Sequence, residues 1–411
     1  MKMLTFRRVL TLALVLSIAP LAGAATFPDP VVPQGFGVNI HFTGAPRDLD
    51  LIAEGGFRFI RMDFGWQAVE RERGQYTFDA YDALTSACLA RGIRPLYILD
   101  YSNRLYEQDR SVQTEEGRQA FAAFAAAAAA RYAGKGIVWE IWNEPNIKQF
   151  WVPQPSVEAY AKLVEVAAPR IREADPDALV VGPATSQIPR EWLAQLFERG
   201  FLQHVDAVTV HPYRSDAPET VIADYARLRE LIKKHAPAGK TLPILSGEWG
   251  YSNINWNKKP LGEDQQARYL VRMFLVNLAQ GVPISIWYDW KNDGTNPEER
   301  EHHFGTMNHD LTPKPAYKAA QALARPLDGY RFLSRLGMAD DKDYVLGFVK
   351  DSQKAVALWR MEGEHAVTLP LGAGKGTLVD MFGESKEISW KDAGPRITLT
   401  ESPQYLLLEG Q

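Results

Sequence analysis

The chain has 411 residues, of which 46% are hydrophobic, and a formal net charge of −4. This length and apolar content are sufficient for one large domain and a smaller one. Because basic residues are not in excess, the composition argues against nucleic acid or an anionic lipid surface as a partner. The single cysteine, Cys88, cannot form an intramolecular disulfide, so stability must come from the core.

The first 24 residues have the pattern of a secretory signal peptide. A basic start precedes an apolar run from Val9 to Leu21, and Ala22-Gly23-Ala24 then provides small residues for cleavage. The apolar run is shorter than the ~20 residues that span a bilayer, which weakens the alternative of a membrane anchor. We therefore expect an exported protein, periplasmic or secreted, with no membrane insertion after the signal is removed.

From about residue 35 to residue 328, strand patterns alternate with helix patterns. The strands are short and apolar on both faces, as strands covered by helices are. Eight such units predict a (β/α)8 TIM barrel, an α/β fold that typically takes ~250 residues. The predicted strands are Phe36–Phe42, Phe57–Asp63, Arg94–Asp100, Ile137–Asn143, Leu179–Gly182, Ala207–His211, Pro243–Glu248 and Ile284–Tyr288. The predicted helices are Arg47–Glu54, Asp79–Arg91, Glu115–Tyr132, Val157–Ala174, Pro189–Glu198, Glu219–Lys234, Gln265–Ala279 and Pro315–Ala324.

The alternative architecture is an open, doubly wound sheet. Such sheets usually carry a G-x-G-x-x-G turn after the first strand. Here the first strand leads into Ile40-His41-Phe42-Thr43-Gly44, which lacks that pattern. The barrel is therefore the favoured prediction.

After residue 328 the pattern changes to short β segments separated by turns such as Lys350-Asp351-Ser352. This pattern predicts a small antiparallel sheet or sandwich packed on the barrel. The predicted organisation is a signal peptide at 1–24, a catalytic barrel at 25–328 and a C-terminal β domain at 329–411.

Functional groups of a TIM barrel project from the C-terminal ends of its strands. Seven of the eight predicted strand ends carry polar or aromatic side chains that would be costly in a core. In chain order these side chains are His41, Arg61, Asp63, Asp100, Asn143, Glu144, His211, Tyr213, Glu248, Trp249, Trp287, Tyr288 and Trp290.

Two of these side chains are glutamates. Glu144 follows a hydrophobic strand rich in tryptophan, where burial can hold a carboxyl proton near neutral pH. A general acid that protonates a sugar oxygen needs this property. Glu248 closes a second hydrophobic run beside Trp249. Two carboxylates at two strand ends indicate a glycoside hydrolase.

Three segments, Trp142-Asn143-Glu144-Pro145, His211-Pro212-Tyr213 and Gly247-Glu248-Trp249, resemble the large clan of retaining (β/α)8 glycosidases that contains families 5 and 39. Within this clan the layout is most similar to family 39-like bacterial exopolysaccharide hydrolases. The resemblance covers nearly all of the mature chain. Asn-Glu-Pro alone is a weak signal, but a second glutamate three strands later, with His-x-Tyr between, makes the combination specific.

The resemblance implies a role for each matched residue. Glu144 would be the general acid/base, and Glu248 the nucleophile of a covalent glycosyl-enzyme intermediate. Asn143 would bond the hydroxyl beside the reacting carbon, Tyr213 would hold the Glu248 carboxylate, and Arg61 would help keep it ionised. The other candidates for substrate contact are the tryptophans, as stacking platforms, and three polar residues: Trp142, Trp249, Trp287, Trp290, His41, His211 and Asp100. Barrel packing for the tryptophans and structural hydrogen bonds for the histidines are the alternatives.

Two features leave alternatives open. Glu140 competes with Glu144 as the acid, but a strand period of two points it to the face of Trp142, so we interpret it as structural or ion-paired. Glu301-His302-His303, with His309 beyond, matches no standard zinc spacing, and we interpret this segment as a loop lining a subsite. We expect neither a metal nor a cofactor.

The sequence thus predicts a monomeric, exported, retaining glycosidase that cleaves β-glycosidic bonds in a polysaccharide or oligosaccharide. Endo action on an exopolysaccharide is preferred. The alternatives are a non-catalytic carbohydrate-binding barrel and a transglycosylase that uses the same two glutamates. A retaining mechanism predicts that the carboxyls of Glu144 and Glu248 lie ~5–5.5 Å apart.

Overall fold

The computed structural model describes residues 25–254, 261–391 and 393–409. The predicted signal peptide, residues 1–24, lies outside the described residues. Parallel strands close into a barrel in chain order, with the first strand paired to both the second and the last. Among the described residues, no helix is both long enough and apolar enough to cross a membrane.

The barrel follows the predicted alternation, and several elements agree with the prediction at both ends. The predicted (β/α)8 fold is confirmed. The strands are β1 (Phe36–Asn39), β2 (Phe59–Gly65), β3 (Arg94–Asp100), β4 (Val138–Ile141), β5 (Leu179–Ser186), β6 (Ala207–His211), β7 (Ile244–Trp249) and β8 (Ser285–Trp287). The helices that follow them are α1 (Pro46–Glu54), α2 (Asp79–Leu89), α3 (Glu115–Arg131), α4 (Val157–Ala174), α5 (Arg190–Glu198), α6 (Val221–His235), α7 (Glu263–Ala279) and α8 (Pro315–Ala324). Smaller elements are a helical turn (Trp66–Val69), a hairpin (Glu70–Glu72 with Gln75–Tyr76) and 3-10 turns (Phe201–Gln203, Pro218–Thr220 and Arg300–His303).

The alanine-rich helix α3 illustrates how local sequence sets the outer layer. Thr114 caps its N-terminus by accepting a hydrogen bond from the Gly117 amide at 2.9 Å. Alanine is the best helix former, and its small side chain allows close packing. Ala125 and Ala128 are fully buried, so the run of alanines forms a packed barrel helix.

The interior of the barrel is apolar at its base and polar above it. A small apolar cluster inside the barrel includes Phe59, Val138 and Leu245. Side chains alternate across a strand, so residues two positions further along β2 and β4 also point towards the barrel axis. These residues are Arg61 and Glu140, which form an ion pair with 2.7 Å between Nε and Oε2. A buried charged layer, formed by Arg61 and Glu140, therefore lies between the apolar base and the C-terminal ends of the strands.

The C-terminal region is antiparallel, as predicted. Its two sheets enclose a third apolar cluster that includes Val356, Leu369 and Leu399. The strands are β9 (Arg331–Arg335), β10 (Asp343–Lys350), β11 (Gln353–Arg360), β12 (His365–Thr368), β13 (Gly374–Val379), β14 (Ser385–Trp390), β15 (Arg396–Leu399) and β16 (Gln404–Glu409). The six-stranded sheet has the order β9-β10-β11-β16-β13-β14, and β12 pairs with β15 in the second sheet.

A buried charged cluster joins this sheet to the barrel. Arg272 of α7 donates two hydrogen bonds of 2.7 Å to the carboxylate of Glu219. Trp359 of β11 donates its Nε1 hydrogen to the same carboxylate at 2.6 Å. Arg272 and Trp359 are fully buried and Glu219 is 3% exposed, so the sheet is held to the barrel by desolvated polar contacts as well as apolar packing.

Candidate active site

The backbone turns sharply where β4 ends. Trp142 and Glu144 have φ values of 69° and 45°, in the left-handed region that non-glycine residues seldom adopt. This turn breaks the strand alternation, so Trp142 packs outward against Phe121 of α3 and Trp151 in the large core cluster. The prediction that Glu140 shares a face with Trp142 is therefore wrong, because a period of two holds only while the strand continues.

Glu144 lies in a desolvated position suited to a proton donor. Glu144 is 7% exposed. Burial raises its pKa from the ordinary 4.5 to about 7, although a hydrogen bond from Ser186 and the charge of Arg61 lower it. Its Oε1 lies 2.9 Å from Nδ1 of His211. His211 is fully buried, and burial lowers its pKa to about 4, so the imidazole is neutral at pH 7.

Glu248 lies in a different electrostatic environment. Its carboxylate accepts a hydrogen bond from Nη1 of Arg61 at 2.6 Å and another from the Tyr213 hydroxyl at 2.8 Å. Arg61 also donates from Nε to Glu140 and from Nη2 to Oδ1 of Asn143, each at 2.7 Å. One buried guanidinium therefore orients Glu248, Glu140 and Asn143 together.

The two candidate catalytic glutamates face each other at short range. A carboxylate oxygen of Glu144, a ring nitrogen of His211 and a carboxylate oxygen of Glu248 all lie within 4.8 Å of one another. This upper bound on the oxygen–oxygen distance fits the ~5–5.5 Å between carboxyls expected for a retaining glycosidase.

The cleft around this pair has a volume of about 450 Å³. Its walls include six of the residues given a catalytic or substrate-binding role from the sequence: His41, Arg61, Asn143, Glu144, Tyr213 and Glu248. They also include Asp63 and Tyr288, which the sequence placed at strand ends without such a role. Further lining residues include Tyr101, Phe150, Gln187 and Phe304.

The four tryptophans predicted to stack on sugar rings do not reach the cleft. Trp142, Trp249 and Trp287 are fully buried and Trp290 is 1% exposed, so protein covers their faces. Trp290 donates its Nε1 hydrogen to Asp48 at 2.9 Å. The stacking prediction for these residues is wrong, because each tryptophan fills the space between barrel and helices.

Other aromatic side chains supply the faces within the cleft. Tyr101 stacks on Phe150, with 5.8 Å between ring centroids, and accepts a hydrogen bond from Nδ2 of Asn143 at 3.2 Å. Tyr288 meets Phe304 edge to face at 5.2 Å. Tyr288 follows β8 directly, so its position at a strand end could indicate a place in the cleft. Phe150 lies in a loop, and no periodic pattern in the sequence indicates its position.

Two further residues that were predicted to contact the substrate are buried instead. Asp100 is 1% exposed, and burial raises its pKa well above the ordinary value. The neighbouring Asp63 lines the cleft in its place. His211 is fully buried and contacts Glu144, so it acts on the acid and does not reach the sugar.

Two groups of described side chains are close enough to share a metal ion: Glu144 with His211 and Glu248, and His41 with Asp289 and Asp293. In the first group, the Glu248 carboxylate already forms an ion pair with the Arg61 guanidinium. In the second, burial opposes a charge on His41, but the hydrogen bond and charge of Asp289 outweigh it and raise the His41 pKa to about 9. A protonated imidazole cannot ligate, so a metal at the second group would have to displace the His41 proton.

The histidines of the 301–303 segment bond within their own loop. Nδ1 of His302 accepts from the Asn296 amide at 3.0 Å, and Nε2 of His303 lies 3.1 Å from the Asn296 carbonyl oxygen. Glu301, in contrast, lines the cleft. The segment fits the interpretation of a loop that borders a subsite.

Comparisons with known proteins point to the same class of enzyme. Residues 26–294 match the family model described as Cellulase (glycosyl hydrolase family 5). A beta-xylosidase of Geobacillus stearothermophilus is 25% identical over 357 residues, which cover 74% of this chain and 68% of that protein. A beta-xylosidase of Caldicellulosiruptor saccharolyticus is 28% identical over 219 residues, which cover 47% of this chain and 42% of the relative.

Solved structures share the fold. A family 39 glycoside hydrolase from Bacteroides cellulosilyticus WH2 has a TM-score of 0.80 at 26% identity, covering 93% of this chain and 82% of that one. A GH39 beta-xylosidase from Caulobacter crescentus has a TM-score of 0.69 at 21% identity, covering 94% of this chain and 98% of that one. The family match spans β1 to β8 and includes both glutamates. The chain therefore belongs to the cellulase family of glycoside hydrolases, glycosyl hydrolase family 5, and is a glycosidase.

Proposed function

We propose that the protein is a retaining β-glycosidase in which Glu144 is the acid/base and Glu248 the nucleophile. The facing pair of carboxyls, with oxygens within 4.8 Å, carries the proposal. Glu144 is buried beside a neutral imidazole and has a pKa of about 7, whereas Glu248 is paired with a guanidinium. Environments that differ in this way suit one carboxyl to donate a proton and the other to attack.

The reaction would proceed in two displacements. In the first, a Glu248 oxygen bonds to the anomeric carbon while the glycosidic bond breaks and the Glu144 proton moves to the leaving oxygen. In the second, water attacks the same carbon, returns a proton to Glu144 and releases the Glu248 carboxylate. One water is consumed, and the anomeric configuration is retained.

β-Xylosides cleaved from a chain end are the substrate class that we propose. Two curated relatives, at 25% and 28% identity, are named beta-xylosidases, and this is the support for the proposal. The sequence alone favours endo action on an exopolysaccharide. Product size separates the two, because exo action releases single sugars and endo action releases oligosaccharides.

The experiment follows hydrolysis of an aryl β-xyloside and an aryl β-glucoside by proton NMR. Retention predicts that the β-anomer of the free sugar forms first, and an α-anomer formed first would refute double displacement. With azide, Glu248→Gly should yield the α-glycosyl azide and Glu144→Ala the β-glycosyl azide. Reversed products would exchange the two roles. Glu198→Gln, at an exposed position on α5, is the matched control and should keep full activity.

Export is a separate proposal that rests on the pattern of residues 1–24. Expression of the full chain in a bacterial host should give a periplasmic or secreted product whose N-terminal sequence starts at Ala25. An intact N-terminus in the cytoplasmic fraction would refute it.

A further inference from the structure

Two buried polar atoms beneath the catalytic pair have no hydrogen-bond partner among the described residues. They are Oε1 of Glu140 and Nε2 of His211, and both residues are fully buried. The opposite atom of each is engaged, with Oε2 of Glu140 on Arg61 and Nδ1 of His211 on Glu144. An unpaired buried polar group costs about 1–3 kcal/mol, and the large majority of such groups have a protein or water partner.

Both atoms border the same glycine. A Cβ atom added to Gly247 of β7 would lie 3.3 Å from Oε1 of Glu140 and 3.5 Å from Nε2 of His211. Gly247 is not among the glycines with positive φ, so its backbone does not demand glycine. Its missing side chain instead leaves room between a carboxylate oxygen and an imidazole nitrogen.

We propose that a buried water molecule bridges His211 and Glu140 beside Gly247, and that Glu140 and Gly247 are thereby positioning residues for the acid/base. The water accepts the Nε2 hydrogen of His211 and donates to Oε1 of Glu140. This bridge fixes the imidazole tautomer with the proton on Nε2. The lone pair of Nδ1 then faces Glu144.

This tautomer matters for proton transfer, and the inference here rests on the proposed role of Glu144. A neutral Nδ1 can only accept, so it favours the protonated form of the Glu144 carboxyl. Once Glu144 has given up its proton, its carboxylate faces the Nδ1 lone pair at 2.9 Å. That contact is unfavourable and makes Glu144 a stronger base towards the attacking water.

The opposite tautomer would act in the opposite direction. An Nδ1 hydrogen would donate to the ionised carboxylate and lower the fraction of Glu144 that carries a proton. Besides Glu144, which contacts Nδ1, the charged groups facing His211 are Arg61 of β2, Glu140 of β4 and Glu248 of β7. They remain in place whichever ring nitrogen is protonated, so the water and Gly247 decide the tautomer.

The test replaces Gly247 with alanine, which fills the room and leaves Glu140, His211 and Arg61 intact. In the wild-type protein, ¹⁵N NMR of the His211 ring should show a protonated Nε2 and an unprotonated Nδ1. In Gly247→Ala we expect a proton on Nδ1, and the alkaline limb of kcat/KM should move about one pH unit lower. Gly65→Ala is the matched control, since a Cβ there meets its nearest atoms at 3.9 Å, and it should change neither readout.

A proton on Nδ1 in the wild type would overturn the proposal, as would a Gly247→Ala protein with unchanged tautomer and pH profile. A high-resolution crystal structure of the wild type should show a water bonded to both atoms. No electron density for a water between them would also overturn the proposal. This measurement needs no variant that folds. Inactivity on every glycoside would refute the proposed function, whereas the tautomer and the bridging water would still be tested.

Discussion

The raised pKa of Glu144 predicts that the folded protein loses stability as the pH rises. Burial raises its pKa in the folded protein from the ordinary 4.5 to about 7. Between these values the folded protein binds this proton more tightly than the unfolded chain does. The contribution of Glu144 to stability is therefore complete below the unfolded pKa and is lost as pH rises through the folded pKa. A shift of about 2.5 units, at about 1.36 kcal/mol each, corresponds to about 3 kcal/mol lost by pH 8.

Glu144→Gln removes this titration and keeps the shape of the side chain, because its amide is neutral at every pH and can donate to Nδ1 of His211. The variant should be inactive, nearly as stable as the wild type at pH 4.5, and more stable by about 3 kcal/mol at pH 8. The assay is urea unfolding of both proteins across this range, followed by tryptophan fluorescence.

The control is Glu198→Gln, an exposed substitution that should change the unfolding free energy little at any pH. A stability difference between Glu144→Gln and the wild type that stays constant from pH 4.5 to pH 8 would refute the reasoning. It would mean that the folded protein does not hold the Glu144 proton more tightly than the unfolded chain.

Three further substitutions separate catalytic from structural roles. Tyr213→Phe removes a donor to Glu248, so kcat on an aryl glycoside should fall about 10²-fold with little change in unfolding free energy, and an unchanged kcat would contradict this. Glu219→Gln leaves the buried Arg272 without its charge partner, so urea unfolding should show a loss of about 3–5 kcal/mol, and a loss below about 1 kcal/mol would contradict the tie between sheet and barrel. Trp290→Phe removes a buried hydrogen bond, so the free energy of unfolding should fall by about 1–3 kcal/mol while KM stays constant. A raised KM would instead indicate that Trp290 contacts the substrate.

The barrel could be predicted from sequence because its signals are local. Strands apolar on both faces, alternating with helical patterns, leave few architectures, and the helix Val157–Ala174 begins directly after the capping residue Ser156. The two glutamates could also be predicted, because each lies at or just beyond the end of a hydrophobic strand and strand ends meet at one face of a barrel.

The direction of each side chain was less predictable. Trp142 points outward because its φ of 69° breaks the strand alternation, and a propensity argument does not anticipate a left-handed tryptophan. At the end of β3, Asp100 is buried while Asp63 of the neighbouring strand lines the cleft. Which of two adjacent carboxyls reaches solvent depends on the stagger between strands, and that stagger is a property of the closed barrel.

Glu140, the alternative to Glu144 in the sequence, is paired with Arg61 in the structure. Arg61 is 1% exposed and contacts the carboxylates of both Glu140 and Glu248. If Glu248 were its only partner, the Arg61 guanidinium would neutralise the charge of the proposed nucleophile. With Glu140 as a second partner, the group formed by Arg61, Glu140 and Glu248 carries a net charge of −1 while Glu144 is protonated and His211 is neutral. A positive charge develops on the sugar in an oxocarbenium-like transition state, and a preorganised negative site stabilises it where water is excluded. If Glu248 is the nucleophile, as proposed, this arrangement would give Glu140 an electrostatic part in catalysis without contact with the substrate.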